Sequence, residues 1–417
     1  MTLSMLKKTA LLTTVALAAC APAAEVPTIS GDVNAVTTSL NSVSYAPQGL
    51  TANTLPELAD LLASGETTSV AITQAYLDRI EAVDRNGPRL QSVLSLNPDA
   101  LAQAEASDAR RAAGETLGSL DGLPILLKDN IESLDPVATT AGSFALENNV
   151  TERDSPLVAG LRAQGAVILG KTNLSQWANF RSEDSVSGWS AVGGQVRNPH
   201  MLDRSPCGSS SGSGAAIAAS LAAGAVGTET NGSIICPSNV NGIVGFKPTV
   251  GVVSQEFIVP ISSTQDTAGP MTKTVRGAAL MMDAIATDGS SGYADALDAG
   301  SLEGLRVGVL RFAQGSADVQ SVFNAGLAAM EAAGAELVEI EEFNLDAENY
   351  GRDSYGLLQW EFKATLDDYL ANSPADIPVR SLEEVIAFNA ADPREMAVFD
   401  QSIMDLSQAR SGLIVEA

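Results

Sequence analysis

Histidine is nearly absent from this chain, since His200 is the single histidine among 417 residues. A Ser-His-Asp hydrolase needs a histidine at a defined place, and in α/β-hydrolases the histidine follows the nucleophilic serine along the chain. His200 instead precedes Ser210, the centre of a Gly-x-Ser-x-Gly match at Gly208–Gly212. We therefore interpret this match as accidental and predict that His200 is a structural loop residue.

Basic residues are scarce as well. Lysine and arginine together number 24, against 50 aspartates and glutamates, which gives a formal net charge of −26 at pH 7. A protein this acidic repels nucleic acid and anionic membrane surfaces. We therefore expect no nucleic-acid partner.

The N-terminal apolar run, residues 10–19, is too short to span a membrane as a stable helix. Two lysines precede it and Leu17-Ala-Ala-Cys20 ends it, as in a secretory signal peptide. The cysteine resembles that of the bacterial lipobox, which implies a signal peptide at 1–19 and a lipidated Cys20. An ordinary signal peptide with an incidental cysteine is the alternative. Since Ala21 is typical of outer-membrane sorting, we expect a lipid-anchored protein of the bacterial periplasm, held at the outer membrane only by this anchor.

The rest of the chain divides into a tether and one large domain. Residues 20–50 are rich in Ala, Pro, Thr and Ser without periodicity, which predicts a flexible tether. Residues 51–417 contain no evident linker or repeat. Helical patterns alternate there with apolar runs typical of buried strands, at residues 123–127, 166–169, 225–227, 305–310 and 336–340. This alternation predicts an α/β domain with a mixed, mostly parallel twisted sheet flanked by helices.

With histidine set aside, lysine is the remaining candidate for a catalytic base. No lysine after the signal peptide has a serine three positions earlier, so the Ser-x-x-Lys arrangement is absent. Lys128 ends the apolar segment Leu123–Leu127, where desolvation lowers the pKa of an amine. The pKa must fall by roughly 3 units for the amine to be neutral near pH 7. The alternative is a surface lysine whose alkyl chain lies along apolar residues.

Two serine-containing loops accompany this lysine: Cys207-Gly-Ser-Ser-Ser-Gly-Ser-Gly214 and Gly227-Thr-Glu-Thr-Asn-Gly-Ser-Ile-Ile-Cys-Pro237. A flexible linker is the alternative for the first, but its apolar flanks and the alanine-rich helix after it argue against that. Together with Leu123-Pro-Ile-Leu-Leu-Lys-Asp-Asn130, the loops resemble the amidase signature family, whose Ser-Ser-Lys triads hydrolyse carboxamides. The resemblance runs from about residue 55 to about residue 280, and it implies the amidase signature fold.

The resemblance also implies roles for individual residues. Ser233 corresponds to the nucleophile, Ser209 to a relay serine held by a cis peptide, and Lys128 to the base that deprotonates this relay. Ser210 corresponds to a neighbouring hydroxyl that orients the lysine. The backbone N–H groups of the segment Thr230-Asn231-Gly232-Ser233 correspond to the oxyanion site.

Two further motif residues, Lys247 and Asp266, match family positions that shape the cleft, and we interpret them as structural. Cys207 and Cys236 flank the two loops and are able to pair in an oxidising periplasm. The alternative, which we favour, is two buried small hydrophobic residues.

The function that the resemblance implies is amide hydrolysis through an acyl-enzyme, with no metal or organic cofactor. The two serine motifs are most similar to those of bacterial peptide amidases, which remove the C-terminal amide of peptides, so we expect a small-molecule or peptide amide substrate. Glutamyl-tRNA amidotransferase subunits share the core, but an exported, acidic chain argues against that role. Because relatives continue further, we expect the C-terminal part of the domain to be incomplete, which leaves a catalytically impaired or non-catalytic periplasmic binding lipoprotein as the alternative.

Overall fold

The computed structural model describes residues 45–299, 301–311, 315–342 and 350–410. The strands of this part are β1 (Val93–Leu96), β2 (Pro124–Lys128), β3 (Val167–Thr172), β4 (Trp189–Ser190), β5 (Gly194–Gln195), β6 (Gly224–Glu229), β7 (Val244–Gly245), β8 (Thr267–Thr272), β9 (Arg306–Leu310) and β10 (Glu336–Ile340). The α-helices are α1 (Leu55–Ser64), α2 (Ser69–Arg79), α3 (Ala100–Ala113), α4 (Pro156–Ala163), α5 (Ser211–Ala218), α6 (Ile235–Asn241), α7 (Val275–Ile285), α8 (Tyr293–Ala296), α9 (Ala317–Ala332), α10 (Tyr350–Ala371), α11 (Leu382–Ala391) and α12 (Ser402–Gln408).

A six-stranded mixed sheet forms the centre of the fold, in the order β1-β3-β2-β6-β8-β7. Strands β3, β2 and β6 are mutually parallel, whereas β1, β8 and β7 pair antiparallel with their neighbours. The parallel arrangement predicted from the sequence therefore holds for the three central strands. Because β2 and β6 run in the same direction, their carboxyl ends meet at one edge of the sheet, and β2 ends there at Lys128 and β6 at Glu229.

Helices cover the sheet because their apolar faces match it. Helix α1 begins with a capping box in which Thr54 and Glu57 exchange hydrogen bonds, and it buries Leu55, Leu58 and Leu62. Helix α4 begins at Pro156, a residue suited to the first turn, and the hydroxyl of Ser155 makes no capping hydrogen bond. A second apolar cluster packs α10, α11 and α12 against the loops that carry Ala141 and Trp177.

Some predicted boundaries differ from the structure. The alanine-rich helix expected after the first serine loop is α5, which already begins within that loop at Ser211 and ends at Ala218. Strand β9 pairs with β10 in a separate parallel sheet rather than joining the central one. Residues 45–50, assigned to the tether, are anchored by Arg79, which donates to the carbonyl groups of Tyr45 and Ala46. The predicted signal peptide and Cys20 lie outside the described residues. Within the described ranges, no helix combines the length and apolar character needed to cross a bilayer.

Candidate active site

Lys128 lies at the carboxyl end of β2 with no surface exposed to solvent. Its Nζ is 2.8 Å from Ser209 Oγ, 2.8 Å from Thr228 Oγ1 and 3.2 Å from the Thr228 carbonyl oxygen. Burial lowers the pKa of Lys128 to about 7, although the carboxylates of Asp266 and Glu229 act in the opposite direction. A substantial fraction of this amine is therefore neutral at pH 7, with a hydroxyl group in hydrogen-bonding contact.

Besides Ser209, the hydroxyl that contacts the lysine is that of Thr228, and not that of Ser210 as the family resemblance implied. The Ser210 hydroxyl contacts the backbone of Thr228 instead, donating to its carbonyl at 3.0 Å and accepting from its N–H at 3.2 Å. Its effect on Lys128 is therefore indirect, through the strand that carries Thr228. Nothing in the sequence distinguishes Thr228 from the other polar residues of its motif.

The first serine loop brings Ser209 to the lysine. The peptide bond between Gly208 and Ser209 is cis, as the family resemblance implied. Two backbone hydrogen bonds fix this loop: Ser175 N–H donates to the Ser209 carbonyl at 3.0 Å, and Ser210 N–H donates to the Ser233 carbonyl at 3.1 Å. The structure therefore brings the relay and nucleophile loops into direct contact.

Ser233 follows the carboxyl end of β6 and has 9% of its surface exposed, the most of the three predicted triad residues. Lys128 and Ser209 are both fully buried. The hydroxyl of Ser233 makes no hydrogen bond to another described residue. Ser209 and Ser233 are therefore not hydrogen-bonded to each other in this structure. In apo enzymes such contacts are often long and tighten only when substrate binds.

Glu229 organises the loop that carries the nucleophile. Its carboxylate accepts from the N–H groups of Gly232 at 2.7 Å, Ile234 at 2.7 Å and Ile235 at 3.0 Å. The Gly232 N–H is therefore unavailable to an oxyanion, contrary to the sequence expectation. The N–H groups of Asn231 and Ser233 make no hydrogen bond within the described part of the chain and are the candidate oxyanion donors.

Asp266 joins this loop to the opposite wall of the site. Its carboxylate accepts from the hydroxyl of Thr230 and from the N–H groups of Ile261 at 2.8 Å and Ser262 at 2.9 Å. Burial raises the pKa of Asp266, and these three donors limit the rise. These contacts agree with the interpretation of Asp266 as a structural residue. They also hold the Thr230 side chain against the wall of the site.

A cleft of about 480 Å³ borders Asp266, and its volume is in the range of small-molecule and peptide sites. Phe257, Ile258 and Pro260 form its apolar part. Arg153 lies at the same cleft, with its guanidinium 4.0 Å from the centre of the Phe257 ring. The cleft is thus large enough for a substrate that extends beyond the reacting group.

Cys207 and Cys236 form a disulfide, with their Cα atoms 5.9 Å apart. Both residues are half-buried. The interpretation as two unpaired buried hydrophobic residues is therefore wrong. The bond ties the segment just before Ser209 to the segment just after Ser233, so it links the relay and nucleophile loops covalently.

His200 is exposed, and its Nε2 lies 2.8 Å from the carbonyl oxygen of Asn241. Since a carbonyl oxygen only accepts, this ring nitrogen is the donor, and the contact is structural as predicted. Lys247 donates to the carbonyl of Pro248 at 3.1 Å. In the described ranges, no group of three His, Cys, Asp or Glu residues has an arrangement suited to a metal ion.

The chain is similar to known amidases along most of its length. A family model described as amidase matches residues 71–411. Among solved structures, the native peptide amidase of Stenotrophomonas maltophilia superposes with a TM-score of 0.81 and 45% identity, over 87% of this chain and 76% of that one.

Curated relatives carry more than one description. A protein of Arabidopsis thaliana described as a probable amidase is 40% identical over 83% of this chain and 70% of its own length. One component of the glutamyl-tRNA(Gln) amidotransferase of Streptomyces avermitilis is 41% identical over 69% of this chain and 58% of its own length. The chain thus spans less than two thirds of that amidotransferase component.

Proposed function

This chain belongs to the amidase family and has the amidase signature fold, and we propose that it hydrolyses carboxamides through an acyl-enzyme on Ser233, with Lys128 as base and Ser209 as relay. The observation that carries the proposal is the 2.8 Å contact between Lys128 Nζ and Ser209 Oγ inside a fully buried site. An amine with a pKa of about 7 accepts a proton from a hydroxyl group far more readily near neutral pH than an ordinary lysine does.

The first half of the reaction forms the acyl-enzyme. Neutral Lys128 takes the hydroxyl proton of Ser209 while Ser209 takes that of Ser233, and Ser233 Oγ attacks the amide carbon. The resulting oxyanion is stabilised by the unengaged N–H groups of Asn231 and Ser233. The carbon–nitrogen bond then breaks, the leaving nitrogen takes the proton back through Ser209, and ammonia or an amine departs.

The second half repeats these steps with water. Water loses a proton through the same relay as it attacks the acyl carbon, and the ester bond to Ser233 Oγ breaks. The proton returns to Ser233, so the carboxylic acid leaves and the enzyme is regenerated.

We propose C-terminal peptide amides as the substrate class. The 45% identity with a solved peptide amidase and the 480 Å³ cleft bordered by Asp266 support this choice. The net charge of −26 disfavours the tRNA-linked role of the amidotransferases, because the protein repels nucleic acid.

The test uses Ser233→Ala, which removes one hydroxyl and leaves the packing intact. We expect amide hydrolysis to disappear, and a fluorophosphonate probe to label the unmodified protein at Ser233 only. Labelling at Ser210 would instead support the nucleophile-elbow interpretation. A folded protein that binds peptide amides without hydrolysis or labelling would support the binding-lipoprotein alternative.

We also propose that the protein is anchored by a lipid at Cys20 in the periplasm, at the outer membrane. The disulfide between Cys207 and Cys236 supports an oxidising compartment. Metabolic labelling with a fatty acid in a bacterial host tests this proposal. We expect the label on the unmodified chain and its loss in Cys20→Ser; equal labelling of both would contradict the anchor.

A further inference from the structure

Among the described residues, two buried polar atoms that belong to residues of one pocket have no hydrogen-bond partner: Asn130 Oδ1 and Trp177 Nε1. Asn130 is 4% exposed and Trp177 is 2% exposed. Buried polar groups in native proteins are nearly always paired, so an unpaired one points to a partner that arrives later. The two atoms are complementary, because the amide oxygen accepts a hydrogen bond and the indole N–H donates one.

The orientation of the Asn130 side chain follows from its neighbours. Its Nδ2 donates to Thr228 Oγ1 at 3.0 Å and to the Val259 carbonyl oxygen at 3.4 Å. A carbonyl oxygen only accepts, so the nitrogen belongs on that side and the oxygen is the free end.

Both unpaired atoms belong to residues that line one small pocket, which we call the amide pocket. Its other lining residues are Ala141, Ala178, Val259 and Pro260. Its volume is about 10 Å³, the scale of a single water-sized group. An –NH₂ group has this size. Pro260 also lines the 480 Å³ cleft, so the two spaces adjoin.

The backbone beside the amide pocket is strained. Trp177, Ala178 and Asn179 have φ angles of 50°, 55° and 68°, and Ala141 across the pocket has a φ of 49°. Residues other than glycine rarely adopt this left-handed region of φ, and those that do cluster at functional sites. The N–H of Trp177 donates to the Ala141 carbonyl at 2.9 Å, which holds the two strained segments together.

Two hydrogen bonds that share Thr228 Oγ1 connect the amide pocket to Lys128. Asn130 Nδ2 and Lys128 Nζ both contact Thr228 Oγ1, at 3.0 Å and 2.8 Å. The segment that leads to Trp177 is bound to the relay serine, through the hydrogen bond from Ser175 N–H to the Ser209 carbonyl. A group held in this pocket is therefore connected to Lys128 through the side chains of Asn130 and Thr228.

We propose that the amide pocket selects substrates with an unsubstituted carboxamide: Asn130 Oδ1 accepts from the –NH₂ group, which alone fills the pocket, and Trp177 Nε1 donates to a substrate carbonyl at its rim, outside the scissile bond. This inference rests on the proposed amide hydrolysis and adds the residues that determine its selectivity. An N-alkyl group would place carbon against Asn130 Oδ1 in a space with room for one small polar group.

The first experiment compares kcat/KM for a peptide amide and for its N-methylamide with the same acyl part. We expect the native protein to prefer the unsubstituted amide, and this preference to fall about tenfold or more in Asn130→Ala. The deciding quantity is the ratio of kcat/KM for the two amides. Asn130 also contacts Thr228, which contacts Lys128, so the substitution can disturb the lysine; such a disturbance slows both substrates equally and cancels in the ratio.

The second experiment uses Trp177→Phe, which removes the N–H donor together with the five-membered part of the indole ring. We expect kcat/KM on peptide amides to fall about tenfold, mainly through a higher KM, because a buried substrate carbonyl loses its donor. Trp189→Phe is the matched control, since Trp189 is half-buried against Phe399 and should leave kcat/KM unchanged.

The outcomes separate this inference from the proposed function. If the native protein hydrolyses neither amide, the proposed function fails. If it hydrolyses amides but the ratio is unchanged in Asn130→Ala, or Trp177→Phe matches Trp189→Phe, the pocket holds only water and the inference is overturned.

Discussion

Two lysines on neighbouring strands are fully buried, and they differ in what surrounds their amines. Lys128 on β2 contacts the hydroxyl groups of Ser209 and Thr228. Lys171 on β3 donates to the Ile131 carbonyl and, at 2.8 Å, to the hydroxyl of Thr139. Burial lowers the pKa of both, to about 7 for Lys128 and about 8 for Lys171.

The two amines also lie on opposite faces of the sheet. Lys128 pairs with Thr172 and Lys171 with Leu127, and successive residues of a strand point to opposite faces. Lys171 is surrounded by acidic groups that raise its pKa, namely Asp129, Asp135, Glu132 and Asp154. Lys128 faces the hydroxyl group of Ser209, the relay in the proposed mechanism. We therefore expect the contacting groups, rather than burial alone, to decide whether a buried lysine acts as a base.

The largest expected effect on the rate of amide hydrolysis comes from replacing Lys128, and replacing Lys171 should affect stability instead. Lys128→Met removes the base, so we expect the rate of amide hydrolysis to fall about a thousandfold, within the range of general-base contributions. Lys171→Met should keep most of the rate per folded molecule but lose roughly 3 kcal/mol of stability, because buried acids lose their compensating charge. Kinetics and urea unfolding on both variants measure this. Equal rate losses in the two would remove the distinction.

A smaller loss of rate should follow from Thr228→Val, which removes the hydroxyl that contacts both Lys128 and Asn130. We expect kcat/KM to fall about tenfold, in line with one lost hydrogen bond to a reacting group. Thr172→Val is the matched control, because Thr172 is also buried on this sheet and its hydroxyl bonds to Ser213 of α5. If the control loses as much activity as Thr228→Val, the hydroxyl has no specific role in orienting the base.

The disulfide should act on stability more than on chemistry. Cys207 and Cys236 are 29 positions apart, and closing a loop of this length stabilises a protein by about 3 kcal/mol in the chain-entropy model. We expect the double variant Cys207→Ser with Cys236→Ser to have a free energy of unfolding lower by about this amount. Its rate of amide hydrolysis should fall only severalfold. Unfolding of the native protein with and without a dithiol reductant measures the same quantity. An unchanged unfolding curve would contradict it.

The smallest effect should come from His200→Gln. The ring bonds only to a backbone carbonyl at an exposed loop, so we expect activity within about twofold and stability within about 0.5 kcal/mol of the native values. Assays of amide hydrolysis across pH check this. Loss of both activity and pH dependence would restore histidine as the base.

Much of the site was predictable because its signals are local. The apolar segment before Lys128 predicts a buried strand end, and the structure has this lysine fully buried at the end of β2. The alternation of strands and helices predicts parallel neighbours, whose carboxyl ends meet, so β2 and β6 bring the lysine and the second serine loop together. The separate β9–β10 sheet was not predicted, since strand patterns do not reveal which sheet a strand joins.

The parts that sequence reasoning missed depend on distances between loops. The Cys207–Cys236 pair requires two loops to approach within 5.9 Å, which composition does not encode. The contact of Thr228 with Lys128 is likewise tertiary, whereas the hydrogen bond from the Gly232 N–H to Glu229 is local but depends on how the loop folds. Asn130 and Trp177 carry no periodic signal, and only their missing partners in the fold mark them.

The most direct test of the central claim is the rate at which a fluorophosphonate labels Ser233 as a function of pH. This rate reports activation of the nucleophile without later steps. If neutral Lys128 is the base, labelling should rise with pH, reach half its maximum near pH 7 and level off above about pH 8, because the amine is charged below its pKa. Lys171→Met should keep this profile and Lys128→Met should be slow and flat. The same midpoint in Lys128→Met would contradict the account.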